Sequence, residues 1–139
     1  MSFPIITATL AAFLIILQQA LMLSTGLHRA KAGIGVGLGD DPNLERKVRR
    51  HGNLAENAAI LLIGLGLVEM YGAPTGAVMT FAIIFGVARL GHAIAFSSLA
   101  GSHGSDGSKL FVACRAVGAT GTALGGIAMG VYLAYLVLS

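Results

Sequence analysis

Charged residues are scarce in this chain of 139 residues. Asp, Glu, Lys and Arg make up 11% of it, against about 25% in a typical soluble domain. Hydrophobic residues make up 55%, and the mean hydropathy is +0.82. This deficit of charge excludes an ordinary soluble domain and indicates a membrane protein. The chain has no Trp and a single cysteine, Cys114, which excludes an intrachain disulfide.

Several catalytic signatures are also missing from the sequence. It contains no zinc-ligand spacing, no Ser-His-Asp arrangement and no Walker motif. The glycine-rich run from Gly33 to Gly39 does not follow a strand of a βαβ unit, so a nucleotide site is not expected there. No basic residue lies in Met1–Phe3, ahead of the first apolar segment, and we therefore expect no cleavable signal. If the protein is an enzyme, its nucleophile should arrive with a cosubstrate.

Four apolar segments are each long enough to cross a bilayer, which takes about 20 residues. Because lipid requires backbone hydrogen bonds to be satisfied internally, the sequence predicts an all-α integral membrane protein, an up-down bundle of four transmembrane helices. It forms one domain over residues 1–139, with spans at about 4–27, 42–71, 75–99 and 109–138. Asp41 can cap a second helix that begins at Pro42. The small, polar stretch from Ser97 to Ser108 is predicted to be a loop.

Basic residues indicate how the bundle is oriented. Six of the nine Lys and Arg residues lie between the first and second spans, at Arg29, Lys31, Arg46, Lys47, Arg49 and Arg50. Lys109 lies in the other loop on that side, and the connection at 71–75 has no basic residue. The positive-inside rule places both basic loops in the cytoplasm and both termini outside. We read the net charge of +3 as this topological signal rather than as a sign of nucleic-acid binding.

A charged face opens the second helix. At about 100° per residue, one side of this helix presents Arg46, Arg49, Asn53, Glu56 and Ile60. Arg49 can bind a carboxylate through a bidentate pair of hydrogen bonds, and Glu56 can accept hydrogen bonds from an ammonium group or a peptide N–H. Two interpretations remain open, a bound polar ligand or an internal Arg–Glu network between packed helices.

The third and fourth spans add further polar groups. Arg89, His92 and Phe96 share a face of the third span. Arg89 is expected to snorkel or to pair with Glu56, and His92 is either a satisfied core group or a ligand contact. Arg115 lies about a turn and a half into the fourth span, where its permanent charge can lower the pKa of a bound thiol.

The remaining features have plainer interpretations. Lys47 and Arg50 lie elsewhere on the second helix and are expected to be solvated or to contact lipid headgroups. Cys114 is expected to be a small packing residue, and Glu69 to reach the membrane interface. Close helix packing is indicated by small residues repeating every four positions, at Gly118, Thr122, Gly126 and Gly130.

In the segment from Asp41 to Asn57 the chain resembles the MAPEG family, the membrane-associated proteins in eicosanoid and glutathione metabolism. The family pattern Glu-Arg-x-x-Arg-x-x-x-Asn-x-x-Glu is kept at every fixed position, by Glu45, Arg46, Arg49, Asn53 and Glu56. Length and four spans extend the resemblance over nearly the whole chain, and the Gly-Leu-Gly-Asp loop is similar to the bacterial branch. The resemblance implies a homotrimer that binds glutathione between subunits on the cytoplasmic side. Combined with the orientation given by the basic loops, it leads us to expect a bacterial inner membrane with both termini in the periplasm.

The same resemblance implies roles for individual residues. Glutathione contacts are implied for Arg29, Arg49, Asn53, Glu56 and His92. Arg115 matches the fourth-span arginine that stabilises the thiolate for attack on an apolar electrophile from the membrane.

This chain also departs from the family pattern. Phe96 stands where several members have Tyr, Gly52 replaces an Arg, and Ala116 and Ala119 replace a Ser and a Tyr near the thiol in the prostaglandin synthase branch. Prostaglandin synthesis is therefore not expected.

Three functions follow in order of preference. The first is a glutathione-dependent membrane transferase, with peroxidase activity left open, that uses glutathione as cosubstrate and a lipophilic small molecule as partner. The second is a non-catalytic glutathione-binding or scaffold protein, favoured by the lost polar side chains at Phe96, Ala116 and Ala119. The third is a small multidrug-type transporter. The first span argues against it, because its clearly polar groups beyond Ser and Thr are Gln18 and Gln19 and it offers no embedded carboxylate.

Overall fold

The computed structural model describes residues 3–99 and 108–139. These residues form four α-helices in chain order, α1 (Ile5–Ala32), α2 (Pro42–Met70), α3 (Thr75–Ala95) and α4 (Lys109–Leu138). Each is long and apolar enough to cross a membrane, so the predicted all-α fold with four spans is confirmed. Most of the loop predicted at Ser97–Ser108 lies outside the described residues, as do Met1 and Ser2. We call the end that carries the α1–α2 loop and the starts of α2 and α4 the basic end.

Two helix ends differ from the sequence prediction. α1 continues past Leu27 to Ala32, because nothing in the polar segment from His28 to Lys31 breaks a helix, and it ends at Gly33. Gly33 adopts a left-handed φ of 68° and its N–H bonds to Arg29 O, which is a usual helix end. α3 ends at Ala95 rather than near Leu99. The apolar pattern located both spans, but it does not show at which residue each helix ends.

The predicted cap of α2 is confirmed. Asp41 Oδ1 accepts hydrogen bonds from the backbone N–H groups of Asn43 (2.9 Å) and Leu44 (3.0 Å), and Pro42 occupies the first turn. Asp41 Oδ2 accepts a hydrogen bond from His28 Nε2 at 2.7 Å, which ties α2 to the end of α1. The contact with His28, followed by the bond from the Leu44 N–H, lowers the pKa of Asp41 below its ordinary value of 3.8.

The start of α1 is capped by a residue of another helix. Pro4, at its N-cap position, makes no side-chain cap, and the first turn holds no acidic residue. Instead Glu69, near the end of α2, accepts hydrogen bonds from the N–H of Ile6 (2.9 Å), the N–H of Thr7 (2.8 Å) and the Thr7 hydroxyl (2.7 Å). Glu69 therefore holds α1 and α2 together at the end opposite the basic end, where the sequence predicted only an interfacial side chain.

α2 and α3 each contact all three of the other helices. The main core cluster joins α2, α3 and α4 around Leu65, Phe85 and Met129, and a second cluster joins α1, α2 and α3 around Leu21 and Leu54.

α3 and α4 approach most closely where the sequence predicted small-residue packing. A Cβ on Gly118 would lie 2.9 Å from Ala88 O, so only glycine allows this approach. At the far end of the same stripe, a Cβ on Gly130 would meet no described atom within 4 Å. The stripe therefore packs within the subunit as far as Gly126, where a Cβ would lie 3.4 Å from Leu61 Cδ2, but not at Gly130.

Candidate functional site

The charged face of α2 opens onto a groove between α2, α3 and α4, near the basic end. We call this space of about 410 Å³ the upper cavity, and its volume falls within the usual range for small-molecule sites. The lining residues are Val48, Arg49, Gly52, Asn53, Glu56, His92, Phe96, Arg115 and Ala119. Five of the six predicted site residues thus lie around one cavity, although they come from three different helices.

The α2 wall of the upper cavity carries charged side chains that make few hydrogen bonds within the described chain. Arg49 is exposed, and its Nε donates to Glu45 Oε1 at 2.9 Å, which leaves the two terminal nitrogens of its guanidinium free of described partners. Glu56 is exposed and accepts no hydrogen bond from any residue within 3–99 or 108–139. An open cation and an open anion about two turns apart on α2 can bind a ligand that carries both charges.

Asn53 and Arg89 form the floor of the groove. Arg89 is 2% exposed, and its Nη1 donates to Asn53 Oδ1 (2.9 Å) and Asn53 O (3.1 Å). Its Nη2 donates to Gly118 O (3.2 Å) and to the Thr122 hydroxyl. The Asn53 oxygen is therefore occupied, and its amide N–H₂ group remains as the donor that a ligand could use.

Arg89 corrects one expectation from the sequence. It neither snorkels nor pairs with Glu56, because α3 is rotated so that Asn53 lies within reach of its guanidinium and Glu56 faces the open cavity. Neutral oxygens accept hydrogen bonds from both terminal nitrogens of Arg89, while its buried Nε has no described partner. Its positive charge therefore persists beneath the groove without a described carboxylate.

Three side chains stack at the α3–α4 wall. The His92 and Phe96 rings are nearly parallel, with centroids 6.1 Å apart and an interplanar angle of 6°. The Arg115 guanidinium carbon lies 5.4 Å from the centroid of the Phe96 ring, a cation–π contact. Arg115 is exposed on the subunit rather than embedded, and no described residue gives it a hydrogen bond or an ion pair. A neutral ring thus positions this cation without cancelling its charge.

Arg29, the sixth predicted site residue, does not line the upper cavity of its own chain. It lies near the end of α1, and its Nη1 donates to Gly37 O at 2.8 Å in the α1–α2 loop. Arg46 is 9% exposed, and its Nη1 donates to Phe96 O at 2.6 Å, so it braces the end of α3 instead of facing a ligand.

The two cations expected at the surface behave differently from that expectation. Lys47 Nζ donates to Ser24 O at 3.4 Å, and Arg50 Nε is buried without a described partner. Lys47 thus contacts α1, and Arg50 is partly buried.

Sequence reasoning missed the Asn53–Arg89 contact, and it located Ala119 near the site only through the family resemblance. The 3.6-residue period shows which residues share a face of one helix, but it does not give the rotation of that helix relative to its neighbours. Small residues also give no signal of lining a cavity. Within the described ranges, no group of three or more His, Cys, Asp or Glu side chains is placed to hold a metal ion.

The fold and the groove define a class of protein, an integral membrane bundle of four helices with a groove lined by charged side chains between helices at its basic end. The MAPEG family model matches residues 7–135, and the chain belongs to the MAPEG family. It is therefore a membrane protein of the group associated with glutathione and eicosanoid metabolism. No curated protein and no solved structure matched the chain in the two other comparisons.

Proposed function

We propose that this protein is a glutathione-dependent membrane transferase in which Arg115 stabilises the glutathione thiolate for attack on a lipophilic electrophile. The observation that carries the proposal is the grouping of Arg49, Asn53, Glu56, His92 and Arg115 around one cavity of about 410 Å³. The polar groups of these side chains are mostly free of partners in the described chain.

The charges of the upper cavity complement those of glutathione. The tripeptide carries two carboxylates, one ammonium group and two peptide groups. Arg49 offers its free guanidinium nitrogens to a carboxylate, and Glu56 offers both oxygens to the ammonium group. The Asn53 amide N–H₂ and the His92 ring can bond to peptide or carboxylate groups. Opposite charges at fixed separation would orient the tripeptide as well as bind it.

Arg115 supplies the chemistry in this proposal. A permanent cation beside the bound sulfur favours the thiolate over the thiol and so lowers the thiol pKa. The thiol proton leaves to solvent, the thiolate forms a carbon–sulfur bond with the electrophile, and the leaving group departs with its electron pair. With a hydroperoxide as substrate, two glutathione molecules are oxidised to the disulfide while the hydroperoxide is reduced to an alcohol and water.

The position of Arg29 supports a site shared between subunits. Its guanidinium lies outside the cavity of its own chain and is held by Gly37 O. In the homotrimer that we propose, Arg29 reaches the glutathione of a neighbouring subunit. Exposed apolar side chains on α1 and α4, including Ile16 at 71% and Leu124 at 68% exposure, provide surface for contacts between subunits and with lipid.

The proposed setting is a bacterial inner membrane with the basic end in the cytoplasm and both termini in the periplasm. This orientation follows from the Lys and Arg bias of the α1–α2 loop. It would place the groove on the cytoplasmic side, with access to glutathione from water and to the electrophile from the bilayer.

The decisive experiment measures thiolate formation on the protein purified in detergent. Ultraviolet difference absorbance on adding glutathione should show a thiolate signal in the wild type, and Arg115→Ala should abolish it. The loss of this stabilising charge should also lower kcat by about 10²–10³-fold, the range for removing one transition-state donor. Lys31→Ala, which removes the same charge from an exposed residue outside the cavity, is the matched control. An unchanged thiolate signal in Arg115→Ala would remove Arg115 from the mechanism.

One observation favours the second candidate, a glutathione-binding protein without turnover. The described lining of the upper cavity includes no Ser, Thr or Tyr hydroxyl, because Phe96 and Ala119 occupy positions where such groups occur in the family. Glutathione binding by calorimetry without any thiolate absorbance in the wild type would identify this case.

A further inference from the structure

Two arginines at the start of α2 lie outside the upper cavity. Arg46 and Arg50 are one helical turn apart and share a face of α2, and neither lines the groove. The next residue along that face, Leu54, is buried and packs with Leu21 of α1 and Ala93 of α3. Arg46 and Arg50 therefore lie on the side that α2 turns towards α1 and α3. We call this pair of side chains the arginine junction.

The arginine junction has more hydrogen-bond donors than the described chain satisfies. Arg46 donates from Nη1 to Phe96 O, but its Nε is buried without a described partner. Arg50 is half-buried, its Nε is likewise buried and unpartnered, and no described residue accepts a hydrogen bond from its terminal nitrogens. A guanidinium group keeps its proton in a protein, so both charges persist and repel each other. A partly buried cation without an acceptor is unfavourable.

No described carboxylate neutralises the arginine junction. Within residues 3–99 and 108–139, the ion pairs are those of His28 with Asp41 and of Arg49 with Glu45. Glu56 faces the upper cavity on another side of α2. The counter-charge that the junction lacks can therefore be supplied by a bound anion.

The depth of the arginine junction indicates which anion fits. α2 has 29 residues, which is about 43 Å at about 1.5 Å per residue, whereas the hydrocarbon core of a bilayer is about 30 Å thick. Its charged start, at the basic end, supplies the excess length. Arg50 lies about 12 Å along the axis from Pro42, and helical side chains tilt towards the N-terminus. The Arg50 guanidinium is thus directed to the boundary where lipid phosphates lie.

A third cation lies beside the pair. Lys47 adjoins the same face of α2, and its Nζ makes a long contact of 3.4 Å to Ser24 O of α1. Basic pockets between transmembrane helices are a known setting for anionic headgroups.

We propose that the arginine junction binds a phosphate group, carried by an anionic lipid headgroup or free in water. Arg50 donates two hydrogen bonds from its planar guanidinium to the phosphate oxygens. Arg46, held on Phe96 O, contributes its charge. The bound phosphate offsets the repulsion between the two arginines and joins the start of α2 to α1 and α3. This site does not depend on the proposed glutathione chemistry.

The lipid source is tested by titrating the detergent-purified full chain with phosphatidylglycerol and, separately, with phosphatidylcholine. Native mass spectrometry measures the lipid bound. The choline ammonium group offsets the phosphate charge of the second lipid, so the wild type should bind phosphatidylglycerol about tenfold more tightly. Arg50→Gln should weaken that binding by about fivefold, the effect of one basic residue near a membrane surface, and bring the two lipids within about twofold.

The free source is tested by calorimetry with inorganic phosphate on the same protein. Binding that weakens by about fivefold in Arg50→Gln identifies a site for soluble phosphate. Dependence on Arg50 for phosphatidylglycerol alone identifies a lipid site. Either result supports the proposal.

Two further variants keep the test decisive. Arg50→Met removes the same charge with a flexible apolar side chain that suits buried surroundings, so it serves if Arg50→Gln does not fold. Lys31→Gln removes a charge from an exposed residue at the same end and should change each affinity by less than about twofold.

Three results would overturn the proposal. One is equal binding of the two lipids by the wild type without any binding of inorganic phosphate. Another is a preference for phosphatidylglycerol, or an affinity for phosphate, that stays unchanged in both Arg50 variants. The third is an equal loss in Lys31→Gln, which would assign the binding to the general charge of the basic end.

Discussion

Two of the three glutamates of α2, Glu56 and Glu69, occupy contrasting surroundings. Glu69, at the end opposite the basic end, accepts three hydrogen bonds from Ile6 and Thr7 at the start of α1. Glu56, in the middle of the same helix, lies exposed on the wall of the upper cavity and accepts none within the described chain. The same side chain on one helix therefore joins two helices in one region and faces an open groove in the other.

This contrast separates polar groups that hold the fold from polar groups that are available to a ligand. In a membrane, a carboxylate without donors is costly, so one that supports the fold should be fully hydrogen-bonded. Arg89 and Arg115 repeat the pattern among the cations. Arg89 is buried on neutral oxygens, whereas Arg115 rests on the Phe96 ring with its N–H groups free of described partners.

The largest effect on stability should come from removing the Glu69 carboxylate. Glu69→Ala leaves two N–H groups in the first turn of α1 without their acceptor, and hydrogen bonds to a charged group contribute about 1.5–3 kcal/mol each before compensation by water. We expect a loss of about 2–3 kcal/mol in the free energy of unfolding. Denaturation in mixed micelles, followed by circular dichroism, measures it.

The matched control is Glu56→Ala, which removes the same group from the same helix. It should change stability by no more than about 0.5 kcal/mol, as expected for an exposed residue without partners. Equal losses in the two variants would remove the distinction between the two regions.

The second prediction concerns ligand affinity and reverses the order of the two residues. Glu56→Gln keeps the shape of the side chain but removes the charge that we assign to the glutathione ammonium group. Affinity for glutathione should fall by about tenfold, or about 1.4 kcal/mol. Calorimetry measures this change, and Glu69→Gln should leave the affinity nearly unaltered. An unaltered affinity in Glu56→Gln would show that the open carboxylate of the groove is not a glutathione contact.

Much of the fold could be predicted from hydropathy and local signals. The four spans follow from long apolar segments, and the start of α2 follows from Asp41 and Pro42, because a helix cap depends on neighbours in sequence. The role of Glu69 could not be predicted in this way. Its partners, Ile6 and Thr7, lie more than 60 positions away. The contacts are to backbone N–H groups, which nearly every residue has, so the sequence does not indicate that these two are the partners.

The candidate site could be predicted as a set of residues but not as an arrangement. Periodicity and the family resemblance named five side chains that the structure brings around one cavity. The predicted partner of Arg89, Glu56, was wrong. Asn53 and Glu56 lie at similar depths on α2, and only the rotation of α3 decides which of the two Arg89 contacts. Packing between helices, such as the close approach of Gly118 to α3, is a property of two helices together and is not contained in the periodicity of either one.

The smallest predicted effect concerns Asp41, at the junction of α1 and α2. Like Glu69, this side chain is hydrogen-bonded within the protein and helps to hold the fold together. Its carboxylate accepts from two helix N–H groups and from His28, and its pKa is lower in the folded protein than its ordinary value of 3.8. A carboxyl group with a lowered folded pKa contributes stability above its unfolded pKa and loses that contribution as the pH falls through the folded pKa. Thermal unfolding in detergent should therefore show a decline below pH 3.8 that is weaker in Asp41→Asn, which keeps a cap acceptor but does not titrate. Because other carboxyl groups titrate in both proteins, the difference between the two profiles isolates Asp41. Parallel profiles would mean that its charge does not help to hold α2 to α1, and that pairing at the exposed basic end contributes less than pairing at Glu69.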